Sequence, residues 1–135
     1  MNVRDFEIRS YEDAVALLRG KASRKVGNNT ILKYGPSKEL LTGEIGVYLH
    51  GNLIVVWYAS NRVFLCSCGY RTVTTKDRMN RCIPREYRVF QEKNVWFVSR
   101  WSGVPRLDAR RVPFVEGMEL MTAFEGVGPG QQDQD

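Results

Sequence analysis

Between Tyr70 and Arg85 (YRTVTTKDRMNRCIPR) the chain sets Arg71, Lys76, Arg78, Arg81 and Arg85 against a single acid, Asp77. Thr72, Thr74, Thr75 and the amide of Asn80 lie among them. Guanidinium, ammonium, hydroxyl and amide groups, together with helix N-terminal N–H groups, supply most protein–phosphate bonds, so this mixture suits the gripping of a phosphate backbone. It is equally compatible with a solvated helix face. A second basic stretch, GKASRKVGNNTILKYGPSK from Gly20 to Lys38, holds Lys21, Arg24, Lys25, Lys33 and Lys38 with no acid. Its backbone amides suit an anion-binding nest, although it lacks the spacing of a Walker loop. If the two stretches fold side by side, Lys21, Arg24, Lys25, Asn29 and Thr30 join Arg71, Thr74, Thr75, Lys76, Arg78, Asn80, Arg81, Arg85 and Arg88 in one nucleic-acid-binding surface. Tyr70, Trp96 and Trp101 then offer stacking platforms, with the core as the alternative place for each and the favoured one for Trp96.

Other chemistries are sparsely served. His50 is the single histidine, the side chain whose ordinary pKa lies nearest neutrality. With Lys76 or Arg78 around a phosphate it could act as a general base in a metal-independent phosphodiesterase-like site. Cys66 and Cys68 form a C-x-C, with Cys82 and His50 as conceivable further ligands, but structural zinc sites use C-x2–4-C knuckles. Buried free thiols are the expectation instead, and no metal or cofactor is expected. Asp77, Glu86, Glu92 and Asp108 form no paired-carboxylate constellation of the kind two-metal chemistry uses. No G-x-S-x-G elbow or Ser-His-Asp signature occurs.

The elements that must position these residues can be read from spacing. Val3–Arg9 alternates weakly, as an edge strand or an extended arm. Ser10 caps a helix over about residues 11–19, where Tyr11, Val15 and Leu18 recur at helical spacing and Gly20 ends it. From Gly20, glycines, Ser23 and Asn28-Asn29 predict a loop, followed by a short strand over Thr30–Tyr34. Glu44–His50, Asn52–Ala59 and Arg62–Cys68 predict an antiparallel meander with turns at His50-Gly51-Asn52 and Ser60-Asn61. The middle strand is apolar on both faces, which predicts cover on two sides. A strand after Gly69 leads to a helix capped by Thr74 with Asp77 as its reciprocal partner. Met79, Cys82 and Ile83 form that helix's apolar stripe, Arg78, Arg81 and Arg85 project from another face, and Pro84 ends it. Tyr87–Glu92 and Val95–Arg100 form a hairpin through Lys93-Asn94. Trp101–Pro113 is expected as a basic loop, and Phe114–Phe124 as a short helix or strand.

The expected class is α+β: an antiparallel sheet of about five or six strands (central meander plus C-terminal hairpin) with two short helices. At 135 residues and 43% hydrophobic content, a single domain over 1–125 is expected, followed by a disordered polar tail over 126–135. The net charge of +5 is uneven: residues 71–111 hold eleven Lys/Arg against four Asp/Glu, while residues 112–135 hold five acids and no Lys or Arg. A basic body of this kind suits a polyanionic partner. No apolar run approaches a membrane span, no export signal opens the chain, and three cysteines suit a reducing cytoplasm.

Two strings together, GKASRKVGNNT (Gly20–Thr30) and RTVTTKDRMN (Arg71–Asn80), with YLH (Tyr48–His50) between them, resemble a family of small bacteriophage and mobile-element proteins. The similarity spans roughly residues 15–98. Tyr70 and the Cys66/Cys68 pair stand where that family's pattern has a tryptophan and glycines. The resemblance implies a phage accessory protein in a bacterial cytoplasm, with nucleic acid or a host protein as its target. Three readings follow: non-enzymatic nucleic-acid binding through a basic face, an effector that binds and inhibits a host protein, and the phosphodiesterase-like enzyme built on His50.

Overall fold

The computed structural model describes residues 6–35, 43–101 and 110–125. Its class is α+β, with a six-stranded antiparallel sheet in the order β1-β2-β3-β4-β5-β9 and a three-stranded sheet in the order β6-β7-β8. The C-terminal hairpin therefore belongs to a sheet of its own, and three short helices flank the two sheets. The tail over 126–135 lies outside the described residues.

Phe6–Arg9 forms no strand but runs as an arm along the end of the second helix. Ile8 donates its N–H to the Arg81 carbonyl at 2.7 Å, and the Arg9 guanidinium reaches the carbonyls of Asn80 (2.6 Å) and Ile83 (2.9 Å). Phe6 and Ile8 are buried. α1 (Tyr11–Leu18) starts where Ser10 Oγ accepts from the Asp13 N–H, as the sequence predicts. Asn61 Oδ1 satisfies the next free amide, that of Tyr11. The helix ends as Arg19 and Gly20 take left-handed conformations.

β1 (Ser23–Gly27) and β2 (Thr30–Tyr34) form a hairpin closed by Asn28-Asn29, with Asn29 at φ 52°. The loop expected over the first of these segments is thus a strand. Its residues are polar, but pairing runs through the backbone (Ser23↔Lys33, Arg24↔Leu32, Lys25↔Ile31), and Val26 is buried. Such pairing overrides composition on an edge strand.

β3 (Ile45–Leu49), β4 (Asn52–Trp57) and β5 (Val63–Leu65) make the expected meander. His50 and Gly51 both have positive φ, as a tight two-residue hairpin turn requires. Arg24, Leu32, Val47, Val55 and Leu65 lie in register across the covered face. In β4, Ile54, Val55 and Trp57 are buried while Leu53 and Val56 are half-buried.

No strand follows Gly69. Residues 66–72 form a loop with a turn at Cys68-Gly69 instead, and α2 (Val73–Arg81) follows it. The Trp57 indole N–H donates to the Cys82 carbonyl at 2.7 Å, fixing the end of α2 on the large sheet. β6 (Tyr87–Glu92) and β7 (Val95–Arg100) join through Lys93-Asn94, both at positive φ, as predicted. β8 (Arg110–Pro113) pairs with β7, which corrects the expectation of loop throughout Trp101–Pro113; residues 102–109 lie outside the described set. β9 (Met118–Glu119) pairs with β5, and α3 (Leu120–Glu125) buries Leu120 and Phe124. One contiguous core joins Leu32, Val47, Trp57 and Met79 to Val89, Trp96 and Phe124. Trp96 is accordingly a core residue.

Candidate functional site

The helix start at the centre of the site is built differently from the sequence expectation. Thr72, not Thr74, is the N-cap of α2: its Oγ1 accepts from the Thr75 N–H at 3.1 Å. Thr75 is buried and its hydroxyl meets that of Thr72 at 3.1 Å, whereas Thr74 is exposed. Burying Thr75 fixes the register of the first turn. Asp77 therefore does not reach back to the cap; it holds Arg78 and, one turn on at 3.1 Å, Arg81.

Most cations of this stretch have a partner within the protein, Arg71 and Arg85 while still exposed. Arg78 donates to Thr30 Oγ1 at 2.9 Å and to the Asn28 carbonyl at 3.4 Å, so α2 is brought against the β1–β2 turn. Thr30 is buried and donates its own hydroxyl to the Asn28 carbonyl. Arg81 also reaches the Phe6 carbonyl at 3.3 Å. Arg85 pairs with Glu7 at 2.7 Å. Arg71 pairs with Glu116 at 3.1 Å and lies over the rings of Phe114 and Trp96. Lys76 donates to Gln91 at 2.9 Å and sits over Trp96. Asn80 exchanges two bonds with the backbone of Val89, at 2.8 and 2.9 Å, joining α2 to β6. Arg24 caps the Leu17 carbonyl at 2.7 Å. Lys21, Lys25 and Arg88 are exposed.

The structure does gather His50, Thr74 and Thr75, in a cleft of about 430 Å³ at the start of α2. Asn52, Ser67, Tyr70 and Thr72 complete its polar wall over a floor of Leu49 and Ile54. Among the described residues no carboxylate, lysine or arginine lines it. Lys76 and Arg78, the cations proposed to act with His50, are directed to Gln91 and Thr30 instead. His50 itself sits on an exposed turn, its N–H bonded to the Asn29 carbonyl at 2.8 Å. The cleft offers hydroxyl, amide and imidazole groups, an exposed phenol ring at Tyr70, and the positive end of the α2 dipole. Its volume falls within the range of ligand clefts. Asn52 and Ser67 were not among the residues the sequence singled out, and Thr72 was named only as a hydroxyl among the cations; no local pattern marks Asn52 or Ser67.

One wall is held by Glu116. It accepts the Ser67 N–H at 2.6 Å, the Ser67 hydroxyl and the Arg71 guanidinium. Burial raises this carboxyl, but the bonds from Ser67 and Arg71 outweigh it and hold the pKa below its ordinary value. Cys66 and Cys68 flank Ser67 with their sulfurs 3.7 Å apart. Cys82 is buried at the end of α2, where burial pushes its thiol up to about 12. Among the described residues no three His, Cys, Asp or Glu side chains gather as metal ligands, and no helix is long and apolar enough to cross a membrane.

No curated protein matches the chain, and no solved structure does either. The family described as Kyanoviridae Gp96 protein matches residues 9–121, reaching beyond the 15–98 span of the resemblance read from sequence. That match runs from the arm through α1, both sheets and the cleft into α3, so the chain belongs to this phage protein family.

Proposed function

We propose that this phage accessory protein binds nucleic acid in the host cytoplasm, with the cleft at the start of α2 taking one nucleotide unit. The cleft carries the reading. An acid-free wall of Thr72, Thr74, Asn52 and His50 offers hydrogen bonds to phosphate and sugar, and Tyr70, 60% exposed, offers a ring for base stacking. Exposed Lys21 and Lys25 supply charge without internal ion pairs among the described residues. Fluorescence anisotropy with a labelled oligonucleotide tests this reading. Binding at low salt is expected to fall as salt rises, and Tyr70→Ala is expected to weaken it by ~1–3 kcal/mol, or roughly 5–150-fold. No binding at micromolar protein and low salt refutes it.

A second reading, an effector that docks on a host protein, is favoured by the exposure of Val73 (78%) beside Tyr70. A host protein captured after nuclease treatment, and lost with Val73→Asp, supports that alternative. Capture that nuclease abolishes supports the first.

A further inference from the structure

We propose that Cys66 and Cys68 form a redox-active dithiol that closes to a disulfide by exchange with a low-molecular-weight disulfide such as oxidised glutathione. The proposal does not rest on the nucleic-acid reading but on the geometry of the turn after β5, whose Ser67 also lines the cleft. In an extended strand, side chains two residues apart share a face but stand roughly 6.5–7 Å from each other. Here the two Sγ atoms are 3.7 Å apart. The backbone leaves the extended conformation here, with Cys68 at a φ of 55° in the left-handed region. A left-handed non-glycine residue costs about 1–2 kcal/mol, and conformations of this kind collect where a site requires them. The turn folds the Cys68 N–H onto Cys66 Sγ at 3.3 Å and directs Cys68 Sγ to the Leu53 carbonyl at 3.3 Å.

The residue between the two thiols is anchored. Ser67 is buried, and Glu116 grips both its N–H and its hydroxyl, so the turn is held while the flanking side chains rotate. A disulfide requires about 2.05 Å between sulfurs, within reach of side-chain rotation from the present separation. Cys68 is exposed and Cys66 half-buried, whereas Cys82 is sealed in the core.

Exchange balances as follows. The Cys68 thiol gives its proton to solvent, and the thiolate attacks one sulfur of oxidised glutathione. A mixed disulfide forms and one glutathione thiolate leaves. Cys66 then loses its proton and attacks the Cys68 sulfur, forming the Cys66–Cys68 bond and expelling the second glutathione. Two protein thiols are oxidised, one glutathione disulfide is reduced to two thiols, and the released protons settle on these. Burial, and after it the neighbouring Cys66 thiol, pushes the Cys68 thiol up to about 11. The first step therefore accelerates about tenfold per pH unit between roughly pH 7 and 9.

The test incubates the reduced full-length protein in glutathione buffers of graded redox ratio, followed by acid quench, alkylation and intact mass spectrometry. Two thiols are expected to disappear together, with a mass loss of two hydrogens and full recovery on reduction. In Cys66→Ser a glutathione adduct at Cys68 is expected to persist. A lasting adduct on the unsubstituted protein, or thiols that react independently, overturns the proposal. Phenylarsine oxide gives a second readout: one equivalent bound at this pair and released by either serine substitution supports the dithiol, and binding unchanged in both variants overturns it. Thermal melts of the variants confirm that each is folded.

Discussion

Replacing Asn80 with alanine separates a structural role from a ligand-binding one. Asn80 accepts the Val89 N–H at 2.8 Å and donates to the Val89 carbonyl at 2.9 Å. Val89 is only 1% exposed, so Asn80→Ala strands a donor and an acceptor that bulk water reaches poorly. Each lost bond is worth ~1 kcal/mol net, and a buried group left unpaired costs ~1–3 kcal/mol. Asn80 is itself only half-buried, so water admitted beside the truncated side chain recovers part of that penalty. The expected loss is about 2–3 kcal/mol, or roughly 6–15 °C in Tm for a domain of this size. Urea titration and thermal melting of the purified protein measure it, and anisotropy well below the lowered Tm measures oligonucleotide binding. A midpoint within about 1 °C of the parent, or weakened binding in a fully stable variant, refutes the assignment of Asn80 as the tie between α2 and β6.

Two further substitutions probe the same neighbourhood. Thr72→Ala is expected to cost about 1 kcal/mol, as loss of an N-cap does, while Thr74→Ala leaves the urea midpoint unchanged; equal effects would show the cap to be misplaced. The carboxyl of Glu116 is held below 4.5 in the folded protein, so its contribution to stability is complete above that value and fades as pH falls through the lowered one. Glu116→Gln is therefore expected to lower stability near neutrality and to flatten part of the acid limb of a urea-midpoint series. Glu7, lowered by its bond to Arg9, and Glu119, lowered by its bond to Arg62, sustain the rest of that limb. An acid limb identical to the parent's refutes the role given to Glu116.

Local signals in the sequence led to elements wherever a short-range rule governed them. Ser10 capped α1, His50-Gly51 and Lys93-Asn94 made the tight turns, and Met79, Cys82 and Ile83 went to the core. β1 and β8 escaped because their pairing is a backbone matter between polar or proline-bearing segments, with little apolar alternation to announce it. At α2 two cap registers competed, Thr72-x-x-Thr75 and Thr74-x-x-Asp77. Burial of Thr75, a tertiary fact, chose the first. The partners of the cations in Arg71–Arg85 are remote in sequence, so no local pattern announces them: Glu7 for Arg85, Glu116 for Arg71 and Thr30 for Arg78. The cleft joins the turn after β3, the turn after β5 and the start of α2, a convergence that no local pattern encodes.

The arm at Phe6–Arg9 has a consequence for synthesis. Its resting place on Asn80–Ile83 is translated some 75 positions after Phe6, a delay of roughly 4–15 s at ribosomal rates of about 5–20 residues per second. During that interval the arm lacks its seat on the end of α2, while the β1–β5 hairpins, whose partners are neighbours in sequence, can already zip together. The arm leaves the ribosome well before the helix it packs on and is thus among the last elements to lock. For that time the nascent chain carries a loose apolar segment that a chaperone, or a second nascent copy, can seize.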